Sequence, residues 1–199
     1  MPSPAPRAVL VALALFAAPA AARAQETPTD PARQAEMAAM LEAARPGPEH
    51  ARLAALEGTW DVALRILGGP GFPPMQAAGT ANSRMVLGGR FLLVESKTSE
   101  GPEMESLTIL GFDRRAKEYT LVGYDTGGTF YVTGAGRWDE AARTITYSGE
   151  SRDPSTGHVE AYDLVMRQEG PDRYTKEMVM RMPDGGRFKV FEAVYTRRR

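Results

Sequence analysis

The sequence contains no cysteine, and neither positive nor negative charge predominates in it. Without a thiol there can be no disulfide, cysteine zinc site, iron–sulfur cluster or cysteine nucleophile. The 24 lysines and arginines nearly balance 25 aspartates and glutamates, for a net charge of -1. Nucleic-acid-binding proteins normally carry a basic face, so we expect no nucleic acid among the partners.

Catalytic motifs are equally scarce. The sequence has no Gly-x-Ser-x-Gly elbow, no His-Glu-x-x-His pair and no phosphate-binding glycine loop that leads into a helix. Its glycine-rich stretch at residues 68–71 is followed by prolines, which predicts a hairpin loop instead. The chain also has only two histidines, too few for a histidine cluster around a metal. We therefore expect no catalytic residues, no metal and no cofactor, and we favour a protein that is not an enzyme.

Residues 1–24 have the three parts of a secretory signal peptide. Arg7 supplies the positive charge, and residues 8–16 form an apolar run that is too short to span a bilayer. Small residues then precede an expected cut before Gln25. Pro19 interrupts the apolar stretch, which argues against the alternative of an uncleaved anchor. We expect a periplasmic or secreted protein with no membrane insertion after cleavage.

The next segment, residues 25–46, is predicted to be a linker and an N-terminal helix. Its first part is polar and contains two prolines, whereas Met37, Met40 and Leu41 then recur at helical spacing over residues 33–45. The helix presents one apolar stripe, with which the chain could form a homo-oligomer by docking on a second copy.

From Gly58 to the C-terminus the apolar pattern changes to a period of two, which predicts strands. Short turns separate them, and none is long enough for a crossover helix, so neighbouring strands must be antiparallel. The fold class predicted for the domain at residues 47–199 is all-β: an antiparallel up-and-down barrel of about ten strands with a short N-terminal helical segment, wide enough for an internal cavity. The strands after the first are predicted near residues 76–87, 90–98, 104–112, 117–125, 129–138, 143–151, 158–168, 173–182 and 186–197.

Short motifs in a fixed order carry a resemblance to a known family. They are Gly47-Pro48-Glu49-His50, Leu53, Leu56, Gly58-Thr59-Trp60, Gly88-Gly89-Arg90-Phe91-Leu92, Gly111-Phe112-Asp113, Asp153-Pro154-Ser155-Thr156-Gly157, Pro183-Asp184-Gly185 and Tyr195-Thr196-Arg197.

This ordered set resembles the bacterial domain-of-unknown-function 1579 family of the lipocalin-like superfamily. The resemblance implies a lipocalin-like barrel in a secreted protein, and it implies no particular activity. It also implies that Trp60 plugs the closed end of the barrel and that Arg197 stacks on its ring as a cation–π contact. The chain departs from the family pattern near the end of the fifth strand, where Tyr124 stands in place of a usual tryptophan.

Acidic residues inside otherwise apolar strands are the strongest candidates for a binding site. Strict alternation puts Glu192 on the same face as Phe188, Val190 and Val194, which predicts that its carboxylate points inward. A buried carboxylate needs a partner such as a nearby base, and it could orient the head group of a ligand. The hypothesis assigns a polar centre to Arg90, Glu95, Glu177 and Glu192, and an apolar wall to Tyr119, Phe130, Tyr147 and Met180.

Together these features predict a barrel that binds a small, largely apolar molecule in its cavity. Three alternatives stay open. The barrel could be an enzyme that acts on a small lipophilic substrate through the buried carboxylates, or a structural module with a filled interior. It could also bind haem through His158, because the related nitrobindin barrels hold haem through a late histidine at the open mouth.

Overall fold

The computed structural model describes residues 30–67, 73–153 and 156–199. The chain divides into two units, of which the first contains the described residues 30–38 and the second spans residues 39–199. In the first unit, the described residues 30–38 are almost all helical and exposed. They form the start of α1, Pro31–Ala43, and a second helix, α2, spans Pro48–Ala54. None of the described helices is long and apolar enough to cross a membrane.

Ten antiparallel strands form a closed barrel in which each strand pairs with its neighbours along the chain and the last pairs with the first. This meander confirms the predicted fold class. The strands are β1 Gly58–Ile66, β2 Met75–Val86, β3 Phe91–Glu100, β4 Glu105–Asp113, β5 Glu118–Asp125, β6 Tyr131–Asp139, β7 Thr144–Arg152, β8 Val159–Gly170, β9 Arg173–Arg181 and β10 Arg187–Arg197.

One end of the barrel is closed by aromatic side chains and by α2. Trp60 of β1 is fully buried, and its ring packs edge-on against Tyr174 at 4.8 Å between centroids. Tyr174 in turn stacks on Tyr195 at 4.2 Å. Leu53 and Leu56, from α2 and the turn that follows it, are buried in the same cluster. We call this region the closed end.

Arg197 fastens the closed end. Its guanidinium lies 4.2 Å over the Trp60 ring, and the two residues are direct partners in the β1–β10 pairing. It donates hydrogen bonds to the carbonyl oxygens of Ala55 (2.9 Å), Glu57 (2.5 Å) and Pro171 (3.1 Å). The end of α2, the first strand and the β8–β9 turn are therefore tied to one side chain.

Gly58 has to be glycine at this point in the fold. Its φ angle is +124°, in the left-handed region that side chains rarely adopt. A Cβ atom here would also lie 2.7 Å from Nη1 of Arg197. The Gly58-Thr59-Trp60 motif thus leads the chain from α2 into β1 without displacing the arginine.

Two sequence predictions fall outside the described residues: the signal peptide at residues 1–24 and the hairpin loop at residues 68–71. The predicted apolar stripe of α1 is present on the helix, with Met37, Met40 and Leu41 all more than half exposed in the single chain. Its docking on a second copy stays a prediction.

Candidate functional site: a cavity in the open half of the barrel

The half of the barrel opposite the closed end contains a cavity of about 1180 Å³. This volume is slightly larger than the range of about 300 to 1,000 Å³ that is typical of small-molecule sites in proteins. The cavity extends from the side chains above the closed-end aromatics to the rim, where Phe130, His158 and Met182 border it.

The wall formed by β8, β9 and β10 is strongly apolar. Leu164, Met178, Met180, Phe188 and Phe191 all line the cavity there. Methionine side chains adapt their shape to irregular ligands, so such a wall can accommodate molecules of different outlines. The opposite wall, on β3 and β4, carries small hydroxyl side chains, among them Ser96, Ser106 and Thr108.

Lys176 of β9 is the one cationic group near the base of the cavity in the described part of the chain. It lines the cavity, yet only 7% of its surface is exposed. Its ammonium lies 5.0 Å from the ring centroid of Tyr195 and 5.9 Å from that of Tyr174. Burial lowers the pKa of Lys176 to about 8, because desolvation disfavours the charged form.

Two of the predicted wall residues, Phe130 and Met180, line the cavity. The other two, Tyr119 and Tyr147, point inward but lie in the core of the closed end, and they are absent from the lining. Tyr119 accepts a 2.8 Å hydrogen bond from Arg52 of α2. Placing these tyrosines in the cavity wall was wrong, because strand alternation specifies the face of the sheet and not the height along the barrel.

The predicted polar centre does not exist in the cavity. Glu177 and Glu192 lie on the outside of the barrel, where Lys189 Nζ is 2.5 Å from Glu177 Oε2 and 3.4 Å from Glu192 Oε2. Arg65 also pairs with Glu192 at 2.5 Å. Glu95 is exposed on the outer face, 3.7 Å from an arginine of β2, Arg84.

Arg90, the remaining member of the predicted centre, lies in the β2–β3 turn at the closed end. Its guanidinium donates to the carbonyl oxygens of Leu87 at 3.2 Å and Gly88 at 3.4 Å. A side chain bound to its own turn at this end of the barrel cannot reach the cavity in the other half.

A β-bulge explains why the orientation of Glu192 was mispredicted. The pairing of β10 with β9 shifts between Lys189 and Phe191, so one extra residue is inserted there. As a result Phe188 and Phe191 both face the cavity although they are three residues apart. Strict alternation from Phe188 therefore assigns the wrong face to every residue after the bulge, including Glu192.

Lys176 is not among the site residues predicted from the sequence. The signal was nonetheless in the strand: Tyr174, Met178 and Met180 share its parity and make that face of β9 the apolar one. The neighbour Glu177 belongs to the face that carries Thr175 and Arg181. A count of the large apolar residues on each face of β9 would have predicted that Lys176 points inward.

The two histidines lie at opposite ends of the barrel. His50 of α2 is buried, and its Nδ1 accepts a 3.0 Å hydrogen bond from the Gly47 amide. Burial is also the main reason that the pKa of His50 is lowered. His158 is exposed at the rim and borders the cavity.

The closed meander and its cavity define a lipocalin-like up-and-down barrel with an apolar interior that is open at one end. The sequence model of the family described as "Protein of unknown function (DUF1579)" matches residues 45–197. The chain therefore belongs to the DUF1579 family, as the ordered motifs predicted.

A solved structure supports the same fold. The protein Rv2717c from M. tuberculosis superposes with a TM-score of 0.60 at 20% sequence identity, over 78% of this chain and 100% of the other. At this level of identity the likeness shows the fold alone. A search of curated protein sequences finds no significant relative of the chain.

Proposed function

We propose that this protein is exported and that its barrel binds a small, largely apolar molecule in the cavity. The observation that carries the proposal is the 1180 Å³ cavity with its apolar wall on β8 to β10. A module with a purely structural role has no need of such a space, and close packing would normally fill it. The cavity thus favours a binding protein over a filled barrel.

The acids on which the enzyme alternative depends do not line the cavity. This alternative required carboxylates inside the cavity, whereas Glu95, Glu177 and Glu192 lie on the outer face in ion pairs. A carrier or a ligand-sensing protein needs only the cavity and an entrance, and both are provided by the described residues.

Binding can be tested with the neutral fluorescent probe N-phenyl-1-naphthylamine. We expect its emission to rise when it enters the cavity of the purified, delipidated protein. Thr108→Trp should reduce the rise, because Thr108 lines the cavity and the larger ring would take up part of its volume. Leu107→Trp is the matched control, since Leu107 is the adjacent residue of β4 and faces outward. Equal emission from both variants, or none from the unmodified protein, would contradict the proposal.

The natural ligand and the export step can be examined in one preparation. Protein isolated from the periplasm of its own source should begin at Gln25, and native mass spectrometry should show an additional small-molecule mass that survives gentle purification. Recovery of the protein from the cytoplasm, with residues 1–24 retained, would refute export. An apo mass alone would speak against a tightly held ligand.

Haem binding is the second candidate function, and the position of His158 at the border of the cavity favours it. Its imidazole is exposed, and His50 is engaged at the closed end, so His158 is the histidine that would hold the iron. A bound haem would supply the redox and gas-binding chemistry of its iron. Titration with haem should then give a Soret shift that His158→Ala removes, and a shift unaffected by that substitution would exclude this site.

A further inference from the structure

Lys176 is a buried ammonium group whose position is unexplained by the packing of the barrel. It is only 7% exposed and borders the cavity. Its neighbours across the strands are Met166 of β8 and Ala193 of β10. The tyrosine rings of the closed end lie beneath it, so its ammonium is at the base of the cavity.

Among the described residues, no carboxylate is within ion-pairing distance of this ammonium. The contrast with Asp163, the other charged residue buried to the same degree, is clear. Asp163 pairs with Arg187 at 2.9 Å and with Arg181 at 3.6 Å, and it accepts a 2.8 Å hydrogen bond from Ser148. The barrel thus provides partners for its buried acid and leaves its buried base without one.

An unpaired buried charge is unfavourable, and a ligand of opposite charge would remove that cost. Since burial lowers the pKa of Lys176 to about 8, the amine is still mainly protonated at neutral pH. The two tyrosine rings contribute a cation–π attraction but no negative charge. A group with a single negative charge at the base of the cavity would therefore complement the Lys176 ammonium.

We propose that the cavity takes an amphipathic anion whose carboxylate contacts the Lys176 ammonium and whose hydrocarbon part lies along the apolar wall towards the rim. Met178 and Met180 follow Lys176 on the inward face of β9. The strand from Lys176 to Met180 is about 13 Å long, at roughly 3.3 Å per residue. Phe188 and Phe191 extend the same surface. This inference rests on the proposed binding function and names its ligand class.

The groups around Lys176 define how pH should act. Burial raises the pKa of Tyr195 to about 12 and that of Tyr174 well above its usual value, so both stay neutral while Lys176 titrates. The anion binds the protonated amine, and its affinity should fall as pH rises above about 8. Other charged or titratable groups border the cavity nearer the rim: Lys97, Tyr124, Asp125, Glu150, Arg152, His158, Glu160, Tyr162 and Arg181. The pH dependence of anion affinity that remains in a variant without the Lys176 amine measures the contribution of these other groups.

The test is displacement of N-phenyl-1-naphthylamine by three ligands with the same chain length and different head groups: dodecanoate, dodecanol and dodecyltrimethylammonium, each below its micelle-forming concentration. At pH 7 we expect dodecanoate to bind roughly tenfold to hundredfold more tightly than dodecanol, as one charge-assisted contact allows. The cationic ligand should bind most weakly. The preference for dodecanoate should decline between pH 8 and pH 10.

Lys176→Met should lose the preference for dodecanoate and its decline above pH 8, while keeping the affinity for dodecanol. Lys97→Met is the matched control. Lys97 also borders the cavity, but it is exposed at the rim and pairs with Glu105 at 2.6 Å, so its removal should leave the preference unchanged.

The outcomes separate the two proposals. If neither the probe nor any of the three ligands binds the unmodified protein, the binding function itself is wrong. If the probe and dodecanol bind and dodecanoate has no advantage, or if its advantage persists in Lys176→Met, the assignment of Lys176 is wrong and the cavity function stands. A fluorescence emission and thermal unfolding profile that matches a folded barrel verifies that Lys176→Met is a valid comparison.

Discussion

Replacing Arg197 by methionine should destabilise the barrel far more than a comparable change one residue later. Methionine keeps an apolar stem of similar length, so the change removes mainly the guanidinium. That group donates three hydrogen bonds to carbonyl oxygens, lies over Trp60, and has an ion pair with Asp172 at 3.2 Å. The carbonyl oxygens of Ala55 and Glu57, at the end of α2, would lose this donor.

The expected cost follows from these contacts. Hydrogen bonds from a charged donor contribute about 1.5 to 3 kcal/mol each, and the cation–π contact about 1 kcal/mol. The Arg197 side chain is 25% exposed, so water can replace part of what is lost. We therefore expect a loss of about 3 kcal/mol in the free energy of unfolding. For a domain of this size that loss lowers Tm by roughly 6 to 12 °C.

Urea denaturation followed by tryptophan fluorescence and by far-ultraviolet circular dichroism measures this loss. The control is Arg198→Met, because Arg198 is 51% exposed and pairs at the surface with Asp61. An exposed pair of this kind contributes at most about 1 kcal/mol. The reasoning is refuted if the two variants unfold within about 0.5 kcal/mol of each other, a difference near the limit of the measurement.

The buried tyrosines, an outer-face glutamate and Lys176 carry the remaining predictions, all measured by urea denaturation of the delipidated protein. Tyr147→Phe should stabilise the barrel by about 1 kcal/mol, because the buried hydroxyl has no hydrogen-bond partner among the described residues. Tyr119→Phe should destabilise it by a similar amount through loss of the Arg52 bond, and the reverse order would contradict both assignments. Glu192→Gln should cost less than about 1 kcal/mol and leave probe binding unchanged, whereas a loss of binding would return this acid to the site. Lys176→Met should gain about 3 kcal/mol at pH 7, because the pKa of Lys176 falls from 10.5 to about 8 on folding. The unmodified protein should therefore become more stable, relative to this variant, as pH rises from 8 to 10.5, and a parallel pH dependence of the two proteins would disprove the unpaired state of the amine.

The extent to which the site was predictable differs between neighbouring strands. On β9, Tyr174, Met178 and Met180 alternate on one face, and this pattern was sufficient to predict that Lys176 points inward. On β10 the same pattern does not predict which residues face the cavity, since the bulge between Lys189 and Phe191 reverses the alternation. A bulge depends on how the partner strand pairs, and a period of two along one strand carries no information about it.

The second property that the alternation of residues along a strand does not specify is the position of a side chain along the barrel axis. Tyr119, Tyr147 and Met180 all face inward, yet only Met180 reaches the cavity. Their heights depend on the stagger of all ten strands and on α2, which covers the end where the two tyrosines lie.

By itself, the sequence determined the architecture of this protein: its period of two, its short turns and the ordered motifs from Gly47 to Arg197 specify a closed antiparallel meander of the DUF1579 family. These features are local, because alternation and turn chemistry act over a few residues. Only the tertiary structure decided where the interior is filled and where it is open, and how far along the barrel each inward side chain lies. Those properties arise from pairing register, from a bulge and from contacts between distant segments, and they place Lys176, rather than a glutamate, at the base of the cavity.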